Sequence, residues 1–482
     1  MAQGSPDGAR GDQFAAVVLA AGSGSRFGGG KLLVPIDGQP ILQHVLDRVA
    51  AAGLTSVVVV LGDDASAVEA AIDWRGERRV RNPNPGRGLS SSVQVGVAAL
   101  DPSVETALIV LGDQPMLPAR AIRALLDADV DPRRPVVVPV YGEDGGRNPV
   151  RLDRGAFPLV DQVTGDRGLG PVLAGHPELV REIPIRVEGG NPDVDTPADL
   201  VALLETRWSE RVRANADQVD RFREVPDGAD FYAPVTGLFR ADPRRTDEPV
   251  LELLLELVEP GETWLDIGAG AGRYALPIAL ALAPSGGRVI ALDASPGMLD
   301  ALLEIQSEHG VTDVEVVETR WPPSDGELER FACDVALIAH VGYDIDGIGP
   351  FVDAMESVAA RLCVAVLMER QPASIADPCW PPVHGESRVP LPALPEFLEL
   401  LRARARVPDV QMTERSPRWF ASPDELEGFV RRQLWVERGS EADARFQAAL
   451  DELLVRDEAG RIGLLGQRAL PIGVVTWSPR AS

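Results

Sequence analysis

Two glycine-rich loops, each placed where a β-strand should give way to a helix, constrain the fold of this chain more than any other feature. One loop reads LAAGSGSRFGGGKLL over 19–33, and the other reads LDIGAGAGRYAL over 265–276. Each follows an apolar β-type run. Glycines there let the backbone turn sharply and bring N–H groups against a phosphate or ribose at a helix N-terminus. The pair predicts two separate nucleotide-type sites in two α/β domains.

Length and charge narrow the class of protein. A chain of 482 residues exceeds the size of a single core, so two or three domains are expected. With 47 basic and 73 acidic residues the net charge is −26, which argues against a nucleic-acid partner. The sequence contains no apolar run of about 20 residues and no signal-like start, so we expect no membrane partner and a cytoplasmic protein.

Cysteines and histidines give no metal-binding pattern. Cys333, Cys363 and Cys379 form no CxxC pair, and the five histidines are scattered along the chain. Buried structural thiols are the favoured interpretation for Cys333 and Cys363, which adjoin apolar strand-like runs. Any divalent ion should therefore be held by oxygen ligands.

The order of apolar runs predicts an α/β fold class with two Rossmann-like three-layer domains. Residues 1–12 are expected to be a disordered start, 13–205 the first domain and 206–245 a helical linker or lead-in helix. The second domain should cover 246–482. A proline-rich and then helical stretch at about 371–405 interrupts its strand pattern.

The first loop carries fixed positive charge suited to a triphosphate, from Arg26 and Lys31. It is not a Walker loop, because Ser25 stands at the first glycine position and Leu32 follows Lys31. Asp113 follows the apolar run LIVLG, where a carboxylate at a strand end can hold Mg²⁺.

A second acidic segment, GGNPDVDTPADL, lies before a Thr-Pro helix start. Either Asp193 or Asp195 is a second metal ligand or only a helix cap, and we favour Asp195 as the ligand.

These residues resemble the MobA/MocA-like nucleotidyltransferases, which act in molybdenum-cofactor biosynthesis. The matching segments include LAAGSGSRFGGGKLL, GLSSSVQVGV, GDQPML, TGDRGLG and DVDTPADL. The resemblance implies transfer of a nucleoside monophosphate from an NTP to a phosphate, with Arg26 and Lys31 on the phosphates and Asp113 on Mg²⁺. It implies nucleotide contacts from Leu19, Ala20, Ala21, Gly22, Gly24 and Ser90. The LAAG start and the LSSS segment are more like the cytidylyl branch, so CTP is the expected donor.

One departure concerns the acceptor. Where the cytidylyl branch has a His-Pro pair, this chain has Asn148 before Pro149. Molybdopterin is the default acceptor that the resemblance implies, with a molybdoenzyme or cofactor carrier as protein partner, and another phosphorylated small molecule would serve the same chemistry.

The second loop has the spacing G-x-G-x-G at Gly268, Gly270 and Gly272. Arg273 replaces the third glycine of the dinucleotide fingerprint, which disfavours NAD. Asp293 ends the next strand, RVIALD, where a carboxylate can take both hydroxyls of an adenosyl ribose.

From about 246 onward the chain resembles the class I S-adenosylmethionine-dependent methyltransferases, on LDIGAGAGRY and ALDASPGML. The resemblance places Asp266 and the three glycines on the methionine part of the cofactor and Asp293 on the ribose. It assigns recognition of the adenine to Glu318, Arg320 or Trp321. It also implies that 371–405 is a substrate-covering insertion and that PIGVVTWS is the last, antiparallel strand.

His340 ends the strand CDVALIA, where acceptor-side residues lie in this superfamily. A general base is one interpretation, with Tyr343 as a contact. A structural or pocket-lining histidine is the other, because methyl transfer can proceed by proximity alone.

Taken together, the sequence predicts a bifunctional enzyme that acts on small molecules: an Mg²⁺-dependent nucleotidyltransferase fused to a methyltransferase. Two alternatives stay open. The second half could bind S-adenosylmethionine without turnover, or both pockets could serve a cofactor-insertion chaperone that only binds.

Overall fold

The computed structural model describes residues 11–22, 24, 27, 29–141, 146–185, 193–226, 236–237, 239–323, 327–415 and 417–479. The predicted disordered start therefore lies outside the described residues up to position 10, and Gly11–Gln13 forms one turn of 3-10 helix. The chain divides into two compact units, Met1–Val201 and Ala202–Ser482.

The first unit is built on a seven-stranded sheet in the order β5-β4-β1-β6-β8-β7-β9. The strands of this sheet are β1 (Phe14–Ala20), β4 (Val57–Leu61), β5 (Arg78–Arg81), β6 (Thr106–Leu111), β7 (Val136–Val140), β8 (Val150–Asp153) and β9 (Val180–Pro184). Two further strands, β2 (Pro35–Ile36) and β3 (Gln39–Pro40), form a separate short hairpin. A Rossmann-like domain is built on parallel strands, and this sheet departs from that pattern at β8, which runs antiparallel to both of its neighbours, β6 and β7.

Helices cover this sheet, as its apolar strands require. They are α1 (Ile41–Ala51), α2 (Ala65–Ala71), α3 (Leu89–Ala98), α4 (Ala119–Leu126) and α5 (Gly170–Gly175). Every residue of β1 after Phe14 is buried, which is the pattern of a central strand covered on both faces. The first glycine loop leaves from the carboxyl end of this central strand.

A 26-residue helix, α6 (Pro197–Phe222), begins in the first unit and ends in the second. Residues 206–222 of the predicted linker belong to it. Trp208 Nε1 donates to the carbonyl of Ile345 at 2.9 Å, and Gln218 Nε2 donates to that of Ser387. This part of the helix is therefore packed into the second unit.

The second unit has its own seven-stranded sheet, in the order β12-β11-β10-β13-β14-β18-β15. Its strands are β10 (Thr263–Ile267), β11 (Arg288–Asp293), β12 (Val314–Glu318), β13 (Cys333–Ala339), β14 (Ala359–Met368), β15 (Asp409–Arg415) and β18 (Leu470–Trp477). All neighbours are parallel except β18, which is antiparallel to β14 and β15. The predicted last antiparallel strand is confirmed, and it lies inside the sheet.

The helices between these strands are α7 (Pro249–Glu256), α8 (Ala275–Leu282), α9 (Pro296–His309), α10 (Ile348–Val358) and α12 (Leu394–Ala403). The last of them corrects the predicted insertion at 371–405. Phe397 of α12 packs edge-on against Trp477 of β18, with ring centroids 5.8 Å apart. Residues 394–403 thus form a crossover helix of the sheet.

The rest of the predicted insertion packs together with a second segment, which lies between β15 and β18 and was not predicted. Together they form a helical cap. We use this name for the 3-10 turn Pro372–Cys379, α11 (Trp380–His384), α13 (Pro423–Leu434), α14 (Glu441–Leu453) and the hairpin β16 (Leu454–Arg456)–β17 (Ile462–Leu464). Trp380, Leu426, Phe446 and Ile462 share one hydrophobic core. Val219 of α6 belongs to the same core. Sequence reasoning missed the cap because its core joins segments that are far apart in the sequence.

All three cysteines are free and buried, as predicted for Cys333 and Cys363. None of the helices that the structure describes combines the length and apolar character that a membrane crossing needs.

Candidate active sites

The first candidate site is organised around Lys31. This residue opens the 3-10 turn Lys31–Leu33 directly after Gly30, whose φ is 65°. Its Nζ donates to Asp113 Oδ2 at 2.7 Å and to Asp195 Oδ1 at 2.9 Å. The lysine side chain is only 11% exposed. The structure therefore brings together three of the predicted residues, although the two aspartates are 82 and 164 positions from Lys31.

The electrostatics of this cluster favour the ammonium form of Lys31. Burial acts to lower the pKa of Lys31, but the charges and hydrogen bonds of Asp113 and then Asp195 outweigh it, so the pKa is raised overall. Lys31 is thus a cation held between two carboxylates.

The open choice between Asp193 and Asp195 is partly answered by the helix cap. At the start of α6 the Thr196 N–H donates to Asp199 Oδ2 and the Asp199 N–H donates to Thr196 Oγ1, as in a capping box. The side chain of Asp195 is therefore free of a capping role and reaches Lys31. Asp193 instead accepts from Gln114 Nε2 at 2.6 Å, and burial and the nearby Asp113 raise its pKa.

The residues fit a divalent cation in one respect. Asp113 Oδ1 is buried and has no hydrogen-bond partner within the described part of the chain. Two carboxylates, completed by phosphate oxygens, are a typical donor set for Mg²⁺. Among the described residues no group of three or more His, Cys, Asp or Glu side chains is placed to hold a metal ion. A metal here would depend on oxygens from a bound phosphate.

The remaining residues of the first prediction have different surroundings. Arg26 lies outside the described residues. Leu19, Ala20 and Ala21 are buried at the end of β1, whereas Gly22 is exposed and Gly24 is half-buried. Ser90 is buried in the first turn of α3, and its hydroxyl donates to the carbonyl of Arg87 at 3.4 Å. Their nucleotide contacts stay predictions.

In the second unit the glycine loop follows the central strand β10. Gly268, Gly270 and Gly272 have φ values of 76°, 54° and 79°, in the left-handed region that L side chains rarely adopt. A Cβ on Gly268 would meet Val341 Cγ2 at 2.5 Å, but one on Gly270 would come no closer than 3.9 Å to any atom. The middle of the loop therefore has room above it.

Asp293 ends β11 and holds this loop. Its Oδ2 accepts from the Gly270 N–H and its Oδ1 from the Ser295 N–H, each at 2.8 Å. Both oxygens of the Asp293 carboxylate are thus tied to backbone N–H groups of the glycine loop and of the turn that leads into α9.

Asp266 lies deeper, at 3% exposure. Burial, and then the charge of Asp293, raise the pKa of Asp266 to about 7. Its contact with the methionine part of a cofactor stays a prediction. Because the side chain is buried, Asp266 is better placed to support the glycine loop than to touch a cofactor.

Trp321 and Tyr343 have partners inside the fold. Trp321 Nε1 donates to the carbonyl of Phe351 at 3.3 Å, and its ring packs edge-on against Phe331. The hydroxyl of Tyr343 accepts from the Met368 N–H at 2.8 Å, and the residue is buried. Its role as a substrate contact stays a prediction.

His340 follows β13 with a φ of 59°, and its N–H donates to the carbonyl of Val366. A non-glycine residue in this conformation is uncommon and is enriched at functional sites. Its catalytic role stays a prediction.

Two residues that support the sites were missed. Gln114 holds Asp193, and its place beside Asp113 in GDQP was the available signal. Glu248 accepts from Arg273 Nη2 and from the Tyr274 hydroxyl, both at 2.9 Å, and so anchors the end of the second glycine loop. Burial acts to raise the pKa of Glu248, but its arginine partners lower it overall. No local pattern marked Glu248.

A cleft opens just beyond the carboxyl end of β14. Its lining includes Arg370, Gln371, Ser374, Asp377 and Glu396. Gln371 and Ser374 are 3% and 7% exposed. Asp377 Oδ2 accepts from Arg370 Nη2 at 2.6 Å, and its Oδ1 lies 3.7 Å from Arg388 Nη1. Ser374 Oγ is buried and finds no hydrogen-bond partner among the residues that the structure describes. Buried polar atoms of this kind require water or a polar ligand.

The folds and sites define two classes of protein in one chain. The first unit is a nucleotidyltransferase-type α/β domain with a lysine–carboxylate site, and the second has the sheet of a class I methyltransferase. Comparison with known proteins makes the first class specific: the model of the MobA-like NTP transferase domain matches residues 16–180.

Curated relatives match part of the chain. Nicotine blue oxidoreductase of Paenarthrobacter nicotinovorans is 33% identical over 195 residues, which cover 39% of this chain and 95% of that protein. The chain therefore belongs to the MobA-like NTP transferase family. The bifunctional protein GlmU of Rhizorhabdus wittichii is 30% identical over 288 residues, 50% of this chain. The match spans only 61% of that protein's length.

Solved structures resemble each unit. The Rv0371c protein of Mycobacterium tuberculosis H37Rv is 31% identical with a TM-score of 0.37, covering 40% of this chain and 99% of its own. Precorrin-6y C5,15-methyltransferase of Geobacter metallireducens is 13% identical with a TM-score of 0.29, covering 50% and 92%.

Proposed function

We propose that the first unit transfers a nucleoside monophosphate from an NTP, with CTP as preferred donor, to a phosphorylated small molecule in the cytoplasm. The observation that carries the proposal is the position of Lys31 within 2.9 Å of both Asp113 and Asp195, beside the glycine loop. A positive charge and two carboxylates are the groups that this reaction requires next to a triphosphate.

The chemistry needs little acid–base catalysis. An acceptor phosphate oxygen attacks the α-phosphorus, a new P–O bond forms, and the bond to the bridging oxygen breaks with its electron pair leaving on pyrophosphate. Lys31 would neutralise the phosphate oxygens, and Asp113 with Asp195 would hold Mg²⁺, whose charge stabilises the leaving pyrophosphate. The loop would orient the donor so that attack is in line.

Molybdopterin is the acceptor that family resemblance suggests, with a molybdoenzyme or cofactor carrier as downstream partner. A second candidate for this unit is supported by the relative matched over 95% of its length, which is named an oxidoreductase. In that case the pocket would bind its ligand without releasing pyrophosphate.

Pyrophosphate release tests the proposal. We expect the purified chain with Mg²⁺ and a phosphorylated acceptor to release pyrophosphate from CTP faster than from GTP, ATP or UTP. Asp113→Asn should lower this rate at least a hundredfold without lowering the melting temperature, because the substitution removes a ligand charge and keeps the shape. Asp127→Asn, an exposed carboxylate at the end of α4, is the matched control. Activity of Asp113→Asn equal to wild type would remove the metal assignment.

For the second unit we propose binding of S-adenosylmethionine at the glycine loop and methyl transfer to a small polar acceptor. The carrying observation is the contact between Gly270 N–H and Asp293, with open space above Gly270. The cleft beyond β14 is the proposed acceptor site, because Ser374 and Asp377 offer it polar atoms. It also lies beyond the strand next to β13, and His340 directly follows β13.

Calorimetry with S-adenosylmethionine separates the alternatives. Binding followed by formation of S-adenosylhomocysteine, when candidate acceptors are added, supports a methyltransferase. Binding without turnover across a broad acceptor panel supports the sensor module instead. Binding at both units, with turnover at neither, supports the chaperone. Absence of binding would overturn the assignment of the loop.

A further inference from the structure

The composition of the basic residues singles out one position. Of the 47 basic side chains in this chain, 46 are arginine and one is lysine, and that lysine is Lys31. Arginine and lysine are not interchangeable where space is limited, because the guanidinium is a broad planar fork and the ammonium is a compact point charge with three donors. The chain keeps its single ammonium between two carboxylates.

The geometry of this contact is that of a cation site. The Nζ atom lies 2.7 Å from one oxygen of Asp113 and 2.9 Å from one oxygen of Asp195. The two carboxylates carry a charge of −2, of which one ammonium compensates half. The second oxygen of Asp113 is buried and lacks a partner within the described residues. A divalent ion would compensate the charge fully and satisfy this oxygen.

We infer that the Lys31 ammonium occupies the place of the divalent cation between Asp113 and Asp195 until a nucleotide draws it away. The inference rests on the proposed nucleotidyltransferase function. A metal ion and Lys31 cannot use the same carboxylate oxygens, because their positive charges would then repel each other at contact distance. The triphosphate offers Lys31 a stronger anionic partner, and its departure restores the −2 charge that binds the metal. Metal loading is thereby coupled to the presence of the nucleotide.

The competing interpretation is a permanent ion pair that only holds the loop in place. In that case Lys31 would stay on the aspartates when nucleotide binds, and its removal would weaken metal binding by disordering the site. The two interpretations predict opposite changes in metal affinity for a variant without the ammonium.

The test measures the affinity of the full-length chain for Mn²⁺ alone, by the electron paramagnetic resonance signal of free Mn²⁺. Lys31→Met removes the charge and keeps the length of the side chain, and Lys31→Arg keeps the charge. Arg133→Met, at an exposed position of the first unit, removes one positive charge elsewhere and controls for the overall acidity of the chain. Asp113→Asn in each background identifies the Mn²⁺ bound at this site.

We expect Lys31→Met to bind Mn²⁺ at least tenfold more tightly than wild type, with Arg133→Met close to wild type. Lys31→Arg, which keeps the charge on a broader fork, should lie between the two. Circular dichroism should show that the variants are folded. Unchanged or weaker Mn²⁺ binding by folded Lys31→Met would overturn the inference, and the proposed function would stand if wild type still releases pyrophosphate. If no variant binds Mn²⁺ through Asp113 and no pyrophosphate is released, both the inference and the proposed function fail.

Discussion

Asp266 links the stability of the second unit to pH. Its carboxyl is 3% exposed, and Oδ1 is buried with no hydrogen-bond partner in the described ranges. Burial first, and the charge of Asp293 second, raise the pKa of Asp266 from 3.8 to about 7, against a smaller opposing contribution from the Ala275 N–H. The folded unit therefore holds this proton more tightly than the unfolded chain does.

The direction and size of the effect follow from this difference. A carboxyl whose pKa is higher in the folded than in the unfolded chain stabilises the folded state. This contribution is complete below about pH 4 and is lost as the pH rises through about 7. Between pH 5 and pH 8 the loss amounts to roughly 2–3 kcal/mol. Asp266→Asn cannot ionise, and its amide oxygen can still accept from Ala275.

We expect Asp266→Asn to gain stability over wild type as the pH rises, by roughly 2–3 kcal/mol between pH 5 and pH 8. Urea unfolding followed by tryptophan fluorescence measures this, because seven of the eight tryptophans lie in the second unit. Asp300→Asn, an exposed carboxyl on α9, should show no such change. A stability difference between Asp266→Asn and wild type that is the same at pH 5 and pH 8 would refute the reasoning.

Three further substitutions test the second loop. Asp293→Ala removes the acceptor of the Gly270 N–H, so we expect S-adenosylmethionine affinity to fall at least tenfold in calorimetry while CTP affinity is unchanged. An unchanged S-adenosylmethionine affinity would contradict the assignment. Gly268→Ala should cost about 2–3 kcal/mol in urea unfolding, because its methyl group would strike Val341 in a left-handed conformation. Gly270→Ala should cost only about 1 kcal/mol, since its methyl group meets open space; equal losses would refute this packing argument.

The sequence predicted the two sheets and their loops because these signals are local. A buried strand that ends in glycines, or in a single carboxylate such as Asp113, can be recognised from a stretch of about ten residues. The order of such units along the chain was enough to predict two α/β domains, and the glycine spacing was enough to separate the two kinds of loop.

Other features were beyond local patterns. The antiparallel direction of β8, which lies inside its sheet, and the packing of the crossover helix α12 depend on contacts with distant strands. The helical cap forms only when segments distant in the sequence, α6 among them, bury one shared core. The role of Glu248 as an anchor of the loop at Arg273 and Tyr274 likewise has no sequence signature.

The sequence by itself determined that Lys31, Asp113 and Asp195 have the chemical types that a nucleotide and a metal ion require. Only the tertiary structure decided that they meet, because closing loops of 82 and 164 residues depends on the register of a whole sheet. Within the described residues, the fold also places the Lys31 ammonium between these two carboxylates, whose like charges it offsets.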